Sequence, residues 1–288
     1  MKLSEIKIAF KNELSDLYST SEIEELFSIF CEHFLELNKV ELRQNLDRDL
    51  SEDDSNKFSK AISELKTGKP FQQILGETEF YGMKFFVNEH VLIPRPETEE
   101  LLELAIQHIN DSKLKGEGLK ILDIGTGSGI IPIVLKKHFP EAEVSAIDIS
   151  DDALEIAKRN ANFHKTEINF IQKDYLNEVF ASPQTDNDVY DIIISNPPYI
   201  GIDENPEIED SVKGFEPNLA LFSPTSDALI FYRKIAEDSI NRLSENGMIF
   251  LEINQKLGFE TLELFQKFSE SVLLKDISGN DRMIFVRK

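Results

Sequence analysis

The sequence contains a single cysteine, Cys31, among its 288 residues, so no disulfide can form within the chain. That composition is typical of the reducing cytosol. No stretch approaches the roughly 20 apolar residues that a membrane-spanning helix needs. The amino terminus also lacks the long apolar core of a signal peptide. We therefore expect a soluble, cytoplasmic protein that does not associate with membranes.

Positive charge is scarce. The chain has 31 basic residues against 53 acidic ones, which gives a formal net charge of −22. A field of that sign repels a phosphate backbone, so a nucleic-acid substrate is disfavoured unless a local basic patch overrides it. A basic protein partner or a cationic small ligand fits the charge better.

Histidines are also few, and none of the five stands in a recognisable motif. The sequence therefore does not indicate a reaction that depends on a histidine base. We predict no metal site.

Residues 1–67 form the first region, and their pattern is helical. Apolar residues recur at helical spacing, and two short patterns of the capping-box type precede them, at Ser21-x-x-Glu24 and Ser51-x-x-Asp54. No catalytic constellation is present in this region. We predict a small helical domain.

Residues 68–92 differ in character and are predicted to link two domains. The segment EFYGMKFFV within them has strand-like composition around Gly82, which indicates a β-hairpin. Residues 93–288 form the predicted second domain, whose first helix opens at IPRPETE with Pro96 at its start.

Apolar strand candidates alternate with helical patterns from about residue 118 onwards. This alternation predicts an α/β fold with an open, mainly parallel, Rossmann-like sheet that has helices on both faces. The last two candidates are too close for a parallel crossover, so they should pair antiparallel. The seven candidates are LKILDIG, EVSAIDIS, INFIQKD, YDIIISN, GMIFLEI, SVLLKDIS and RMIFVRK.

A glycine-rich loop follows the first of these strands and precedes a helix. The spacing is Gly-x-Gly-x-Gly rather than the Gly-x-Gly-x-x-Gly of dinucleotide folds, which favours S-adenosylmethionine (SAM) over NAD. Asp148 follows Gly129 by 19 residues at the end of the second strand, where a carboxylate can bind ribose hydroxyls. Asp174, after the third strand, could reach the adenine. The loop itself contains Asp123, Gly125, Thr126, Gly127, Ser128 and Gly129.

The sequence SNPPYI follows the fourth strand. The two prolines stiffen the loop, and the Asn196 side-chain oxygen and the Pro197 carbonyl become two fixed acceptors for one NH₂ group. Tyr199 supplies an aromatic wall beside them. Such an arrangement suits methyl transfer to a planar nitrogen, because fixing its N–H bonds aims it at the methyl carbon.

Together these motifs resemble the PrmC/HemK family, the SAM-dependent methyltransferases that modify the glutamine N5 of peptide-chain release factors. The resemblance covers nearly the whole chain. NPPY alone is shared with DNA adenine methyltransferases, so the more specific motifs carry the assignment. They are VLIPRPETE, ILDIGTGSG, SNPPYI, FEPNLALF, DALIFYRKIA and DRMIFVRK.

The resemblance implies a role for each matching residue. The glycine loop would line the SAM cleft, Asp148 would bind the ribose, and Asp174 with Tyr175 would border the adenine. Asn196 would lie beside both SAM and the substrate. The catalytic set would be Asn196, Pro197 and Tyr199, with Pro198 joining them in the substrate site.

The resemblance also implies partners and leaves some roles open. The substrate would be the Gly-Gly-Gln loop of class I release factors, with no direct nucleic-acid contact, and we expect a monomer. Arg95, Glu97 and Glu216 could organise the cleft or be structural. Asn254 stands where the family usually has glycine, which leaves the local loop shape open.

Three alternatives remain at this point. The first is an N6-adenine DNA or N2-guanine RNA methyltransferase, which would need a basic face or a target-recognition domain. The second is a non-catalytic SAM-binding protein. The third, an NAD-dependent oxidoreductase, is disfavoured by the glycine spacing.

Overall fold

A computed structural model describes residues 1–112, 114, 118–177, 189–201 and 214–288. These residues form two compact units. The first contains Met1–Gly76 together with residues 214 and 215, and the second contains the other described residues from Glu77 onwards. No helix in these ranges is long and apolar enough to span a membrane.

The first unit is a helical bundle, as the sequence predicts. Its core is rich in phenylalanine, and the ring of Phe10 lies 5.9 Å from Phe30 and 6.3 Å from Phe58, centroid to centroid. Aromatic pairs at this distance contribute about 0.5–1.5 kcal/mol beyond the area they bury. The predicted Ser51 cap is present, and its hydroxyl accepts the N–H of Asp54 at 3.0 Å. The helices are α1 (Leu3–Leu14), α2 (Thr20–Leu35), α3 (Lys39–Gln44), α4 (Glu52–Leu65) and α5 (Phe71–Leu75).

The predicted cap of α2 is wrong by two positions. The helix is capped by Ser19 rather than Ser21, and the Ser19 N–H donates to the Glu22 carboxylate at 2.7 Å. Both serines fit the capping-box pattern. A cap at Ser19 places Tyr18 just before the helix and Ile23 at its fourth position, which is the spacing of a hydrophobic staple. Ile23 is buried in the bundle core, and the half-buried Tyr18 packs against that core.

The second unit begins with a hairpin of β1 (Glu77–Phe80) and β2 (Met83–Phe86). Phe80 pairs with Met83, which leaves Tyr81 and Gly82 as a two-residue turn. Their φ angles are +53° and +64°, as a type I′ turn requires. The turn lies where the sequence placed it, while the predicted domain bounds stay a prediction.

The rest of this unit is a seven-stranded sheet, which confirms the predicted α/β fold. Its strands are β3 (Lys120–Ile124), β4 (Glu143–Asp148), β5 (Asn169–Gln172), β6 (Tyr190–Ser195), β7 (Leu243–Glu252), β8 (Glu270–Lys275) and β9 (Asp281–Arg287). Their order is β5-β4-β3-β6-β7-β9-β8, and β9 runs antiparallel to both of its neighbours. Its helices are α6 (Pro96–Asp111), α7 (Ile130–His138), α8 (Asp151–His164), α9 (Asn218–Leu221), α10 (Ile230–Arg242) and α11 (Gly258–Glu263).

Alternating side chains of the central strands feed a core on each face of the sheet. Ile121 and Ile192 belong to one apolar cluster, whereas their neighbours Leu122 and Ile193 belong to another. This is the two-residue period of a strand with both faces covered. The strand order reverses between β3 and β6, so a crevice opens there at the carboxyl edge of the sheet.

Candidate active site

A cavity of about 470 Å³ lies at this carboxyl edge. Its volume is within the usual range for small-ligand sites. Ile124 at the end of β3 pairs with Ser195 at the end of β6. The glycine loop and the SNPPYI loop therefore leave neighbouring strands side by side, and both contribute to the cavity wall.

The glycine loop is hydrogen-bonded to β4, the strand next to β3 in the sheet. The N–H groups of Gly125 and Thr126 both donate to the carbonyl of Ile147, at 2.9 and 3.0 Å. A Cβ added to Gly125 or Gly127 would meet no atom within 4 Å, so the missing side chains leave open space at the wall. The loop residues that line the cavity are Gly125, Thr126, Gly127 and Ser128.

Two predicted cofactor residues lie behind this wall. Gly129 packs against α8, where an added Cβ would come within 3.0 Å of the Ala157 Cβ. Asp123 is fully buried. Burial raises the pKa of Asp123 to about 7, opposed by the nearby Thr126 hydroxyl. Neither carboxylate oxygen of Asp123 meets hydrogen-bond geometry with another described residue. Direct contact of Asp123 and Gly129 with the cofactor stays a prediction.

Asp148 lines the cavity at the end of β4. Its Oδ2 accepts the N–H of Gly127 at 2.8 Å, and its Oδ1 accepts the N–H of Ser150 at 2.9 Å. Burial raises the pKa of Asp148, and these backbone bonds oppose the shift. A carboxylate has about four lone-pair sites, so Asp148 retains capacity for ligand hydroxyls.

Asp174 and Tyr175 line the cavity beyond the end of β5. The Asp174 carboxylate accepts the Asn177 Nδ2 at 2.8 Å and the N–H groups of Leu176 and Asn177. The side-chain bond from Asn177 is the main cause of a lowered pKa at Asp174. Tyr175 is buried, and the Lys234 Nζ lies 5.2 Å from its ring centroid. The turn after β5 is thus held by the hydrogen bonds of Asp174 and by the packing of Tyr175.

Asn196 and Pro198 also line the cavity, whereas Pro197 is buried and Tyr199 does not form part of the wall. The Asn196 Nδ2 donates to the Thr98 hydroxyl oxygen at 3.1 Å. The Tyr199 hydroxyl donates to a carboxylate oxygen behind the cavity at 3.4 Å. Of the four residues predicted for the substrate site, two therefore face the open space.

The sequence reasoning did not select two residues of this site, Thr98 and Glu252. Thr98 lines the cavity from the first turn of α6, and its hydroxyl donates to the Glu252 Oε2 at 2.7 Å. Glu252 is the carboxylate that Tyr199 contacts, and it is 1% exposed. Its position at the end of a buried apolar strand is the signal that could have identified it, because lone charges there are expensive.

Arg95 and Glu216, whose roles the sequence left open, form an ion pair beside the cavity. The Arg95 Nη2 lies 2.6 Å from the Glu216 Oε1, and the other Glu216 oxygen accepts the N–H of Ile93 at 3.1 Å. Glu216 is buried, while Arg95 lines the cavity. The pair therefore pins the segment before α6 beside the cavity. Glu97 does not line the wall.

Asn254, where the family usually has glycine, has a φ of −65°. Any residue can adopt this conformation, so no left-handed geometry is needed. Its side chain donates to the Tyr199 carbonyl at 3.1 Å and accepts the N–H of Lys256. The departure thus caps the turn after β7.

The donor set fits a nucleoside carrying a sulfonium group. The Asp148 carboxylate at a strand end suits ribose hydroxyls, and the largely apolar walls suit adenine. Gly125 and Gly127 leave open space in the loop, so the rest of the ligand can approach the main chain closely. Among the described residues, no cluster of three or more histidine, cysteine, aspartate or glutamate side chains could hold a metal ion.

Comparison with known proteins identifies relatives that match this chain over nearly its whole length. A release factor glutamine methyltransferase of Flavobacterium psychrophilum is 46% identical over 291 residues, covering 99% of each chain. The protein of that name from Bacteroides thetaiotaomicron is 36% identical over 284 residues, covering 98% of this chain and 99% of the relative. Two family models also match, "Methyltransferase small domain" over residues 102–210 and "PrmC N-terminal domain" over residues 8–76.

Solved structures share the fold at low sequence identity. The hMettl16 catalytic domain, solved with a 3′ UTR hairpin, superposes with a TM-score of 0.54 at 15% identity and covers 92% of this chain and 90% of that one. The 16S rRNA N2-guanine methyltransferase RsmC of T. thermophilus, solved with AdoMet and guanosine, gives 0.50 at 18% identity, over 74% and 49%. Both support the methyltransferase fold alone.

Proposed function

Because the chain belongs to the release factor glutamine methyltransferase family, we propose that it methylates the side-chain amide nitrogen, N5, of a glutamine in peptide-chain release factors. The target is the glutamine of the Gly-Gly-Gln motif, and the methyl donor is SAM. The modification would modulate translation termination.

The observation that carries this proposal is the juxtaposition of two loops. The glycine loop follows β3 and the SNPPYI loop follows β6. These two strands are paired, and both loops face one cavity. A methyl donor in the first loop and an amide in the second would therefore meet. Such alignment alone can lower a barrier by several kcal/mol, since it removes the entropy of bringing the two groups together.

Each residue predicted to bind SAM has a proposed role in the part of the cavity beside the glycine loop. Asp148 would accept the ribose hydroxyls, while Asp174 and Tyr175 would border the adenine. The main chain of Gly125–Ser128 would pass close to the methionine part of SAM. Asp123 and Gly129 would support this loop from behind. When bound, SAM supplies an electrophilic methyl group on a sulfonium centre.

The substrate half is a pair of acceptors. The Asn196 Oδ1 and the Pro197 carbonyl would each accept one N–H of the glutamine amide, with Pro198 beside them and Tyr199 supporting the loop from behind the wall. An amide nitrogen is a weak nucleophile because its lone pair is delocalised. Holding both N–H bonds aims that lone pair and stabilises the positive charge that develops on the nitrogen. The methylated amide is itself very acidic, so its proton can leave without a strong base.

The partner proposal follows from charge and from the family. A net charge of −22 favours a basic protein factor over a nucleic acid. We place the reaction in the cytoplasm, where release factors act, and treat the enzyme as a monomer without direct nucleic-acid contact. The helical unit would provide a second contact, so a whole release factor should be methylated with a higher kcat/KM than a short Gly-Gly-Gln peptide.

The test is mass spectrometry of a purified release factor after incubation with SAM. The expected result is a gain of one methyl group on the Gly-Gly-Gln glutamine. Parallel reactions with labelled SAM contain duplex DNA or structured RNA in place of the factor. Label on a nucleic acid alone would overturn the proposal in favour of an adenine or guanine methyltransferase.

A matched pair of variants separates chemistry from binding. Asn196→Ala should abolish methyl transfer while SAM binding, measured by calorimetry, persists. Asn162→Ala, at an exposed position on α8, should leave both unchanged. A non-catalytic SAM-binding protein would show no methyl transfer in any of the three proteins.

A further inference from the structure

A chain of hydrogen bonds runs from a buried carboxylate to the cavity wall. Glu252 is 1% exposed and Thr98 is 2% exposed. The Thr98 hydroxyl donates to the Glu252 Oε2 at 2.7 Å, and the Asn196 Nδ2 donates to the Thr98 Oγ1 at 3.1 Å. Thr98 and Asn196 face the cavity, and Glu252 lies behind them. The buried acid is therefore connected to the amide that would hold the substrate.

The direction of these bonds is set by the single proton of the threonine hydroxyl. An ionised carboxylate is an acceptor only. If Glu252 is ionised, the Thr98 proton must point to it, and the Thr98 oxygen can then only accept a bond from Asn196. The amide must present its NH₂ end to Thr98, which leaves the Oδ1 of Asn196 as the end available to a ligand.

Protonation of Glu252 removes this constraint. A carboxylic acid can donate to the Thr98 oxygen, and the threonine hydroxyl can then donate to the Asn196 Oδ1. The amide would be rotated by about 180°, with its NH₂ end in the cavity. That end is a donor, and it would face the NH₂ group of a substrate amide, which is also a donor. The substrate would lose one of its two acceptors.

We propose that Glu252 is a positioning residue that acts through Thr98 to keep the oxygen end of the Asn196 amide turned towards the substrate. The proposal rests on the proposed function, because the orientation matters only if Asn196 receives an NH₂ group. Glu252 itself touches neither the substrate nor the cofactor. It selects one of two amide orientations that have the same shape but opposite hydrogen-bonding character.

Groups on several elements surround Glu252. The Tyr199 hydroxyl donates to its Oε1 at 3.4 Å, and the Tyr232 hydroxyl donates to its main-chain carbonyl at 3.0 Å. Arg282 on β9 favours the ionised form, whereas Glu97 on α6 disfavours it. Burial is the largest effect, and it raises the pKa of Glu252 to about 7. The proposed orientation should therefore weaken as the pH falls through neutrality.

The first test is kinetic and uses variants of nearly unchanged shape. Thr98→Val removes the hydroxyl that connects the two groups and should lower kcat/KM for release factor methylation by about tenfold or more, with SAM affinity changed less than about twofold. Thr98→Ser restores the hydroxyl and should recover most of this loss. Glu252→Gln should also lower kcat/KM, and the double variant with Thr98→Val should be no worse than Thr98→Val alone.

The pH profile separates positioning from simple packing. In the wild type, kcat/KM should fall as the pH drops through about 7. Thr98→Val and Glu252→Gln should both flatten that part of the profile. A structural role would lower the rate without changing the shape of the curve. The proposal is wrong if Thr98→Val keeps the wild-type profile, or if Thr98→Ser is as impaired as Thr98→Val.

A second readout does not depend on activity. The side-chain amide of Asn196 gives an NH₂ resonance in ¹H–¹⁵N spectra, which is assigned by its loss in Asn196→Ala. This resonance should titrate near neutral pH in the wild type and become insensitive in Glu252→Gln. If it titrates while no release factor is methylated, the proposed function fails and the coupling stands. If methylation occurs but neither rate nor resonance responds to Glu252, the coupling fails.

Discussion

Arg95 and Glu216 form an ion pair of 2.6 Å although 121 positions separate them in the sequence. The two partners differ in environment. The Glu216 side chain is 1% exposed, whereas that of Arg95 is 35% exposed. A charge that stays buried without its partner is costly, and one that reaches water is not. The stability of the segment before α6 should therefore depend unequally on the two residues.

Arg95→Met should destabilise the protein more than Glu216→Gln. The first change leaves the buried carboxylate with the Ile93 N–H as its remaining partner, at a cost of about 2–4 kcal/mol. The second leaves a guanidinium that water can reach and an amide that can still accept a bond, at a cost of about 1 kcal/mol. Scanning calorimetry measures both. Equal losses, or the reverse order, would contradict the asymmetry.

Asn160 should tolerate almost no change, because its amide joins three segments. It is fully buried; its Oδ1 accepts the Phe86 N–H at 2.7 Å, and its Nδ2 donates to the carbonyls of Phe86 and Ser128 at 3.0 and 2.9 Å. In Asn160→Asp an oxygen would face two carbonyl oxygens, so we expect a loss of about 2–4 kcal/mol in unfolding free energy.

The matched control for Asn160→Asp is Asn162→Asp, an exposed position on the same helix. It should stay within about 0.5 kcal/mol of the wild type. SAM affinity, measured by calorimetry, should fall in Asn160→Asp alone because the Ser128 carbonyl loses its donor. Wild-type stability in Asn160→Asp would show that the three bonds contribute nothing.

Local chemistry explains which parts of the fold could be predicted. Pro96 opens α6, Gly82 forms the hairpin turn and the alternation of strands with helices gives a parallel sheet, because each depends on residues close in sequence. The α2 cap was misplaced because Ser19 and Ser21 fit the same capping-box pattern, which by itself does not distinguish between them.

The site divides in the same way. Asp148 and Asn196 could be predicted because each directly follows an apolar strand, and parallel strands end at one edge. Thr98 and Glu252 could not be paired in advance, since their bond joins residues 154 positions apart. The absence of Tyr199 from the cavity wall could likewise not be predicted, because its hydroxyl donates to Glu252, a residue far away in the sequence.

Three glycines with positive φ should respond differently to alanine. Gly279, in the turn before β9, has a φ of +86° and open space around it, so Gly279→Ala measures the conformational cost alone, about 1–2 kcal/mol. Gly129→Ala should cost more, because its Cβ would press on Ala157 at 3.0 Å. Gly125→Ala should match Gly279→Ala in stability but weaken SAM binding, because its Cβ would stand at the cavity wall. Calorimetric unfolding and SAM titration separate the three, and equal SAM affinity in Gly125→Ala and Gly279→Ala would argue against a cofactor role for the loop.

Asp123 should make the protein less stable as the pH rises. Burial raises the pKa of this carboxyl from 3.8 to about 7, so between those values the folded chain holds a proton that the unfolded chain releases. The stabilising contribution is present below about pH 4 and is lost as the pH rises through about 7. Asp123→Asn should therefore reduce the fall in unfolding free energy between about pH 5 and about pH 8, measured by calorimetry without SAM.

Glu252 acts in the same direction, so combining Asp123→Asn with Glu252→Gln should flatten the dependence further. Asp174→Asn should leave this range unchanged, because hydrogen bonds from Asn177 lower the pKa of Asp174 from 3.8 and the carboxyl is ionised in both states there. Its contribution is lost only as the pH falls below about 4. A wild-type pH dependence in Asp123→Asn would mean that this carboxyl does not titrate in the folded protein over that range.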